Sequence, residues 1–428
     1  MEEDLHGYKY KMKSTELAEE RLKEAIDKAS EKLKYDSAHD EELLHALSIV
    51  NDFIKRKKRV CYGGTAMNAI LPDSKKFYDP EVDLPDYDFY TPDIDNDVEE
   101  LVKELEKEGF KEIYHKVGIH EGTKKILVNF VPIADITSID KDLFTILYRR
   151  SIVKDGTHYT DENILRMMMY LELSRPKGMV ERWPKVFERL QLINSVFPIR
   201  GCSKSLARQN IIPMNIRRII LNYIIEWKRI LCNGSLIPIY KRGIRKRGAV
   251  FRIEEGGPAL FTSPDPKLDA IALKKNLGDH IHLRRHPARG EIVPERIELQ
   301  MEGKTICMIV QEIACHSYTS LQLGDKRTIY IGSIEYLITL YLALSIFTSE
   351  IEHILGTNVL CQVSKLIQLS YDNYVAKKSQ FPAFSTQCRG HQIGFASLLR
   401  EKFQRVQREK DKTRKRSVAR KSVTRSKK

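Results

Sequence analysis

The sequence predicts an α/β (α+β) protein in which a helical N-terminal region precedes a mixed sheet. About the first fifty residues are rich in Ala, Glu, Lys and Leu, and their apolar residues recur at helical spacing. From Arg59 onward, short apolar runs alternate with Gly, Pro and Asp and with a charged amphipathic helix. Strand-like runs that alternate with helical segments are typical of an α/β domain.

The length of 428 residues exceeds what one compact core usually contains, so we expect about two to three domains. A second glycine pair, Gly256-Gly257, is followed by helical and strand-like runs that indicate another, weaker α/β unit. The predicted parts are a helical N-terminal region, an α/β domain with a helical extension, a second α/β domain and a basic tail, over residues 1–58, 59–195, 196–400 and 401–428.

The formal net charge of +14 is concentrated at the C-terminal end of the chain. Residues 401–428 contain thirteen Lys or Arg and three Asp or Glu, with few apolar residues, so this tail is predicted to be disordered. A basic arm of this kind binds polyanions without reading bases, which makes nucleic acid the leading partner. A nuclear import signal is the alternative interpretation of the tail.

Seven cysteines are scattered without any C-x-x-C pair, so the sequence indicates neither a disulfide framework nor a zinc finger. This usage favours a reducing compartment. Cys307, Cys315 and His316 offer metal ligands, but the apolar residues between the two cysteines predict a buried strand instead. The apolar run Tyr336–Phe347 has only twelve residues, too few to cross about 30 Å of hydrocarbon, and is predicted to be a buried helix rather than a membrane span.

The stretch CYGGTAMNAIL, which starts at Cys61, places two glycines and a hydroxyl between a strand-like run and a helix-forming run. Glycine allows another group to approach the backbone closely, and a helix N-terminus favours an anion. Gly63, Gly64 and Thr65 are therefore candidates to bind a triphosphate, although the Gly-Lys-Ser/Thr of a Walker loop is absent. An ordinary strand-to-helix turn is the alternative interpretation.

Three aspartates follow the glycine turn. Asp86 and Asp88 flank Tyr87 in a strand-like segment, where residues i and i+2 face the same side. Two carboxylates side by side repel each other unless a divalent cation such as Mg²⁺ lies between them. Asp135 ends an otherwise apolar run, and if its strand lies beside the first, three carboxylates converge on two metal ions.

The order of Gly63-Gly64-Thr65, Asp86-x-Asp88 and a distant Asp135 resembles the DNA polymerase β-type nucleotidyltransferase superfamily. The segments CYGGTAMNAILP, DYDFYTPD, MYLELSRPKGMVERWPKVFERLQLIN and ACHSYTSL resemble, more narrowly, the poly(A) polymerase catalytic subunits of large cytoplasmic DNA viruses such as poxviruses and giant viruses. The resemblance extends over roughly residues 35 to 350. It implies a polymerase β-like nucleotidyltransferase core with a mixed sheet, a helical N-terminal region and a second, degenerate nucleotidyltransferase-like domain without catalysis.

The resemblance also implies roles for the three aspartates. Asp86 and Asp88 would bind both metal ions, Mg²⁺ or Mn²⁺, and Asp135 would complete the ion that activates the RNA 3′ hydroxyl. The triphosphate of the substrate ATP would contact the glycine turn, at Gly63, Gly64 and Thr65.

Adenine selection needs a stacking ring and a cationic or hydrogen-bonding group. Four residues just after the catalytic run offer such groups: Lys154, Tyr159, Asn163 and Arg166. We expect Lys154 and Tyr159 to contact the adenine.

The implied activity is that of a template-independent polyadenylate polymerase, which adds AMP from ATP to RNA 3′ ends by two-metal phosphoryl transfer. The implied partners are the RNA 3′ end and either a second copy of the chain or a separate processivity subunit. The implied location is the host cytoplasm, in the viral factory, or the virion. Two alternatives stay open: another nucleotidyltransferase of the CCA-adding or oligoadenylate-forming type, and an inactive RNA-binding processivity partner.

A second acidic cluster matches positions 1, 3, 5 and 12 of an EF-hand calcium loop, with Asp93, Asp95, Asp97 and Glu104. Val98 stands where that loop needs glycine, and a strand rather than a helix precedes it. The helical pattern predicts instead that these acids cap and charge the start of a helix. Asp93-x-Asp95 also rivals the metal pair, but it follows Thr91-Pro92, which predicts a loop.

Overall fold

The computed structural model describes residues 4–79, 81–118, 122–199, 212–242, 257–289, 292–323, 327–346, 358–376, 381–391, 399–400, 403–404 and 407–408. The chain divides into two compact units. The first comprises Met1–Gly118, Thr123–Ser138 and Val153–Tyr159, and the second comprises Ile119–Gly122, Ile139–Ile152 and Thr160–Lys428. The domain boundaries predicted from the sequence stay predictions, and nearly all of the predicted tail, 401–428, lies outside the described residues.

The first unit begins with helices and continues as a mixed sheet, as predicted. Its helices are α1 (Asp4–Ala38), α2 (Glu41–Lys57), α3 (Gly63–Ile70) and α4 (Ile94–Lys107). Its strands are β1 (Val60–Tyr62), β2 (Tyr87–Thr91), β3 (Ile113–Val117), β4 (Thr123–Val128), β5 (Val131–Ser138), β6 (Ile152–Lys154) and β7 (Thr157–Tyr159). They form a seven-stranded sheet in the order β3-β4-β5-β2-β1-β7-β6.

Helix α2 covers one face of this sheet. The Asp40 side chain caps the helix by accepting a hydrogen bond from the Leu43 N–H at 2.9 Å. The helix ends at Lys57, and the next residue, Lys58, adopts the left-handed conformation that commonly stops helices. Its buried apolar face includes Phe53, whose ring lies 6.2 Å from that of Phe89 in β2. The sheet face that carries Phe89 is therefore the core face.

The second unit contains the remaining described elements. Its helices are α5 (Lys141–Arg150), α6 (Glu162–Leu173), α7 (Trp183–Val196), α8 (Met214–Glu226), α9 (Ile237–Arg242), α10 (Pro266–Leu277), α11 (Ile334–Ser345) and α12 (Val359–Val375). Its strands are β8 (Ile230–Leu231), β9 (Ala259–Ser263), β10 (Ile281–His286), β11 (Arg296–Met301), β12 (Lys304–Gln311), β13 (His316–Gln322), β14 (Thr328–Gly332) and β15 (Cys388–Arg389). They form a sheet in the order β10-β11-β12-β9-β8-β14-β13-β15.

The two sheets repeat the same strand order, apart from the additional edge strand β15. An ion pair repeats with it. The guanidinium Nε of Arg59, just before β1, lies 2.6 Å from an Asp97 carboxylate oxygen, and Arg229, just before β8, makes the same contact with Asp269 at 2.6 Å. Because both pairs join the first strand of a sheet to the helix after its second strand, they fix the correspondence of the two units residue by residue.

This correspondence identifies what replaces the aspartates in the second sheet. Cys61 pairs with Phe89 in the first sheet, and Leu231 pairs with Phe261 in the second. The counterpart of Asp88 is therefore Leu260, whose partner on β12 is Met308, in the place of Asp135. Leucine and methionine do not bind Mg²⁺. The predicted second α/β unit is present, and its sheet repeats the strand order of the first without the paired aspartates.

The apolar run that starts at Tyr336 forms a buried helix over its described residues, as predicted. Every residue of α11 is buried. Among the described residues, no helix has both the length and the apolar character required to cross a membrane.

The prediction that the cysteines form no disulfides is wrong. Cys315 and Cys388 are joined by a disulfide, with their Cα atoms 5.2 Å apart and a sequence separation of 73 positions. The pair forms because β15 lies beside β13, where Ser317 pairs with Cys388. This pairing of a late strand with the sheet edge leaves no trace in the spacing of the cysteines. Cys61, Cys232 and Cys307 are buried free thiols.

His316 follows this disulfide and is a buried structural residue, 2% exposed. Its ring stacks on that of Tyr336, with 4.3 Å between the centroids. Burial lowers the pKa of His316 well below its ordinary value, and the positive charge of Arg175 acts in the same direction.

We expect His316 to make the second unit sensitive to acid. The unfolded histidine takes up a proton near pH 6.5, whereas the folded one does so only at lower pH, so the unfolded state binds more protons in between. The free energy of unfolding should therefore fall below about pH 6.5, by up to about 1.4 kcal/mol per pH unit. Urea unfolding between pH 7.5 and pH 5 measures how the free energy of unfolding changes with pH. This pH dependence should be weaker in His316→Phe and unchanged in His282→Phe, a control at an exposed histidine. Equal slopes in all three proteins would contradict the assignment.

Candidate active site

The glycine turn is the junction between β1 and α3, and the group that approaches its backbone is a carboxylate. Gly63 has φ +73°, a conformation that favours glycine. A Cβ atom at Gly63 would lie 2.4 Å from Oδ2 of Asp88, closer than any real contact. Glycine is therefore required at Gly63 by the position of the Asp88 side chain as well as by the backbone.

Asp88 and Asp135 lie side by side on adjacent parallel strands. They are register partners in the pairing of β2 with β5, so their side chains leave the same face of the sheet. Asp88 is also the register partner of Tyr62, the last residue before the glycine turn. The two strands are thus neighbours, as expected, and the Asp88 carboxylate adjoins the N-terminus of α3.

Asp86 lies one residue before β2 and is exposed. The segment that contains it is fixed by Thr65, whose hydroxyl donates a hydrogen bond to the Asp86 carbonyl at 2.8 Å and accepts one from the Asp86 N–H at 3.2 Å. Thr65 therefore positions the Asp86 backbone in this structure. Its predicted contact with a triphosphate stays a prediction.

Sequence reasoning missed Lys125, which forms an ion pair with Asp135 through its ammonium group. The two residues are register partners on β4 and β5. These strands are joined by a tight turn at Asn129 and Phe130, both with positive φ, which suits a two-residue hairpin. A register shift between Ile126 and Leu127 then moves the pairing by one residue. Without this irregularity, Lys124 would be opposite Asp135.

A layer of hydroxyl groups and aromatic rings was also missed. The rings of Tyr62 and Tyr90 stack with 4.1 Å between their centroids. The Tyr62 hydroxyl lies 2.8 Å from that of Thr137, which lies 2.9 Å from that of Thr123. Burial raises the pKa of Tyr62 well above its ordinary value, and the neighbouring Tyr90 and Asp88 act in the same direction. These tyrosines therefore stay neutral and form one wall of the carboxylate site.

The site chemistry suits a hard divalent cation, because Asp86, Asp88 and Asp135 all offer carboxylate oxygens. The close approach of Asp88 to Gly63 leaves that carboxylate against the helix N-terminus. Within the described ranges, no three His, Cys, Asp or Glu side chains are already gathered in a metal-binding arrangement. The ammonium of Lys125 forms an ion pair with Asp135. The metal roles of the three aspartates stay predictions.

The two residues expected at the adenine lie away from the carboxylates. The Lys154 ammonium donates to the carbonyl oxygen of Ala69 at 2.6 Å, at the end of α3 opposite to the glycine turn. Tyr159 pairs with Cys61 on β1, and successive residues of a strand face opposite sides. Tyr159 therefore shares the core face with Phe89 rather than the face of Asp88. The adenine roles of Lys154 and Tyr159 stay predictions that gain no support from this placement.

Arg166 is the other charged residue among the four candidates for adenine selection, and it is fully buried in the second unit. Its guanidinium donates to the side chain of Asn194 at 2.8 Å, and also to Asn163 and the Phe197 carbonyl. These contacts account for it as a structural residue of the packing between α6 and α7.

The second acidic cluster, which resembles an EF-hand loop in sequence, belongs to α4 and the residue before it. Asp97 is fully buried against Arg59, and Glu104 forms an ion pair with Arg56. Asp95 lies in the first turn of α4 rather than in a loop, which corrects the prediction for Asp93-x-Asp95. The acids charge the start of the helix as predicted, but the Asp93 side chain, at the capping position, makes no capping hydrogen bond.

The segment of the chain that contains this site is similar in sequence to known proteins. Residues 48–179 match the family model described as poly(A) polymerase catalytic subunit. Two proteins named "Putative poly(A) polymerase catalytic subunit" are similar: one of Acanthamoeba polyphaga mimivirus, 31% identical over 164 residues, and one of African swine fever virus, 27% identical over 166 residues. The matches cover 37% and 38% of this chain, but only 28% and 35% of those relatives. The chain thus spans about a third of the length of these relatives.

The fold is similar to a crystal structure of the Megavirus polyadenylate synthase, with a TM-score of 0.74 and 18% sequence identity. This match covers 94% of the present chain and 84% of the other. The family match includes both the glycine turn and the three aspartates. The predicted resemblance to the poly(A) polymerase catalytic subunits of large DNA viruses is therefore confirmed, by sequence over the segment that contains this site and by fold over nearly the whole chain.

Proposed function

We propose that this chain is a template-independent polyadenylate polymerase that adds AMP from ATP to RNA 3′ ends. The observation that carries the proposal is the pairing of Asp88 with Asp135 on parallel strands, with Asp88 against Gly63 at the start of α3. Carboxylates beside a glycine-lined helix N-terminus suit a nucleoside triphosphate and its cations. The match of residues 48–179 to the poly(A) polymerase catalytic subunit family supports the same function.

Each residue has a defined task in this proposal. Asp86 and Asp88 hold two divalent cations, Mg²⁺ or Mn²⁺, and Asp135 holds the one on the side of the RNA 3′ hydroxyl. When bound, the cations supply charge neutralisation on the phosphates and activation of that hydroxyl. The backbone N–H groups of Gly63 and Gly64 hold the triphosphate at the N-terminus of α3, where the helix dipole favours an anion. Thr65 keeps the Asp86 segment beside this turn through its two hydrogen bonds.

The proposal includes the partners and the setting of the reaction. The basic residues of the C-terminal tail would hold RNA through its phosphates, independently of base sequence. Either a second copy of the chain or a separate processivity subunit would support long products. We place the reaction in the host cytoplasm, in the viral factory, or in the virion.

A nucleotide panel with a labelled RNA primer tests this function. The purified chain should extend the primer with ATP and Mg²⁺ or Mn²⁺ into a homopolymer, and extension with CTP, GTP or UTP should be at least tenfold weaker, a difference of about 1.4 kcal/mol in transition-state binding. Addition of CMP before AMP would indicate a CCA-adding enzyme, and short products without a primer would indicate oligoadenylate formation. RNA binding without extension by any nucleotide would indicate an inactive processivity partner.

A further inference from the structure

We propose that Lys125 is a built-in competitor of the divalent cations: its ammonium neutralises Asp135 in the metal-free protein and is displaced from that carboxylate when the cations bind. This inference rests on the proposed function for the identity of the metal ligands. It assigns a role in controlling metal binding to Lys125, which lies outside the glycine and aspartate motifs.

The first support is the geometry of the pair. Lys125 lies on β4 directly opposite Asp135, and the two side chains form an ion pair. The Asp135 side chain is 18% exposed and that of Lys125 is 35% exposed, so the pair is partly shielded from water. Asp135 in turn is the register partner of Asp88. Without a cation beside them, two neighbouring carboxylates would repel each other, and the Lys125 ammonium relieves that repulsion.

The second support is the register shift between β4 and β5. A regular hairpin would place Lys124 opposite Asp135, but the irregularity between Ile126 and Leu127 brings Lys125 there instead. Lys124 forms its ion pair elsewhere, with the exposed Asp95 of α4 at 2.8 Å. The chain thus offers two adjacent lysines, of which only Lys125 contacts a proposed metal ligand.

The third support comes from the second sheet, where the same position is occupied differently. Met308 replaces Asp135, and its partner on β11 is Glu298 in the place of Lys125. The buried Glu298 carboxylate lies 2.8 Å from Nε2 of His286 on β10 and 3.8 Å from the guanidinium Nε of Arg296 on its own strand. A cation at the Lys125 position is therefore present in the sheet that carries a carboxylate at the Asp135 position, and absent from the sheet that carries Met308 there.

The physical consequence is competition. A bound divalent cation and the Lys125 ammonium carry like charges and would share one carboxylate, so they exclude each other at close range. Substitution of Lys125 by a neutral residue should raise the affinity for a divalent cation by about tenfold, since a +2 and a +1 charge about 5 Å apart repel appreciably even in water. In the absence of metal, the same variant should melt at a lower temperature because its carboxylates lose their counter-charge.

The test measures Mn²⁺ binding to the full chain by isothermal titration calorimetry, without nucleotide or RNA. Lys125→Met should bind Mn²⁺ about tenfold more tightly than the unaltered chain, and Mn²⁺ should raise its melting temperature by a larger amount. Lys125→Arg, which keeps the charge, and Lys124→Met, which removes the neighbouring ion pair, should both bind within twofold of the unaltered chain. If Lys125→Met does not fold by circular dichroism, Lys125→Gln takes its place.

Two contrary outcomes are distinguishable. Equal or weaker Mn²⁺ binding by the neutral variant, in a chain that extends RNA primers, would overturn the competition and leave the polymerase function standing. Absence of Mn²⁺ binding by every protein, together with absence of primer extension, would overturn both. An equal gain in Lys124→Met would also overturn the proposal, because the effect would then reflect the general charge of the surface.

Discussion

Replacement of Asp88 by Asn should reduce AMP addition by on the order of 10³-fold or more, because the residue is proposed to bind both cations. The fold should survive the change. Asn has nearly the same shape, and it removes one of two neighbouring carboxylates, Asp88 and Asp135, that repel each other. Primer extension at saturating ATP and RNA measures the loss, and circular dichroism measures the fold.

The matched control for Asp88→Asn is Asp95→Asn. Asp95 belongs to the rival Asp-x-Asp pair, is exposed and forms an ion pair with Lys124. Its replacement should leave extension within about twofold, as expected for an exposed ion pair. Near-normal extension by Asp88→Asn, or a comparable loss in Asp95→Asn, would show that the metal pair has been assigned to the wrong residues.

Replacement of Gly63 by Ala should reduce AMP addition by about 10²-fold, a loss associated with misplacing a reacting group by about 1 Å. The new methyl group would occupy the space of Asp88 Oδ2, which lies 2.4 Å from the Cβ position, so the carboxylate must move. The positive φ of Gly63 adds a cost of about 1 kcal/mol to the folded state. Primer extension and urea unfolding of the same preparation separate the two effects.

Gly303→Ala provides the control for backbone strain. Gly303 has φ +74°, almost the same as Gly63, and a Cβ atom there meets nothing within 4 Å. Both variants should lose similar stability, but only Gly63→Ala should lose activity. Equal activity in the two variants would contradict the proposed role of the glycine turn and would show that it is an ordinary junction between a strand and a helix.

The local features of the site were predictable because they depend on short sequence spacing. Glycines between a strand-like and a helix-forming run placed Gly63 at the start of a helix, and two strand-like runs placed Asp88 and Asp135 on strands. Helical periodicity likewise predicted α1 and α2. In each case, the residues that determine the structure are close together in the chain.

Features that depend on strand register were not predictable from spacing. Lys125 reaches Asp135 only because an irregularity shifts the hairpin of β4 and β5 by one residue. Tyr159 was expected at the adenine because it follows the catalytic run in sequence, yet its pairing with Cys61 places it on the core face. A one-residue change in register moves a side chain to the other face of a sheet, and no sequence pattern here specified that register.

Contacts over long sequence separation were missed for a different reason. The disulfide of Cys315 with Cys388 depends on β15 joining the edge of the second sheet beside β13. Two residues of β15 are too short a run to predict a strand. The sequence therefore indicated unpaired cysteines where the structure pairs them.

The two sheets share their framework but differ in the residues at the proposed catalytic positions. The second sheet keeps the strand order and the Arg229–Asp269 pair, yet it buries Leu260 and Met308 where the first sheet carries Asp88 and Asp135. The same chain thus contains a second copy of the framework in which the two carboxylates are replaced by apolar side chains. Copying leucine and methionine into the first sheet offers a route to a protein that keeps its architecture and loses turnover. Under the proposed function, such a chain would bind an RNA end without extending it, which is the reagent that structural work on the bound state requires.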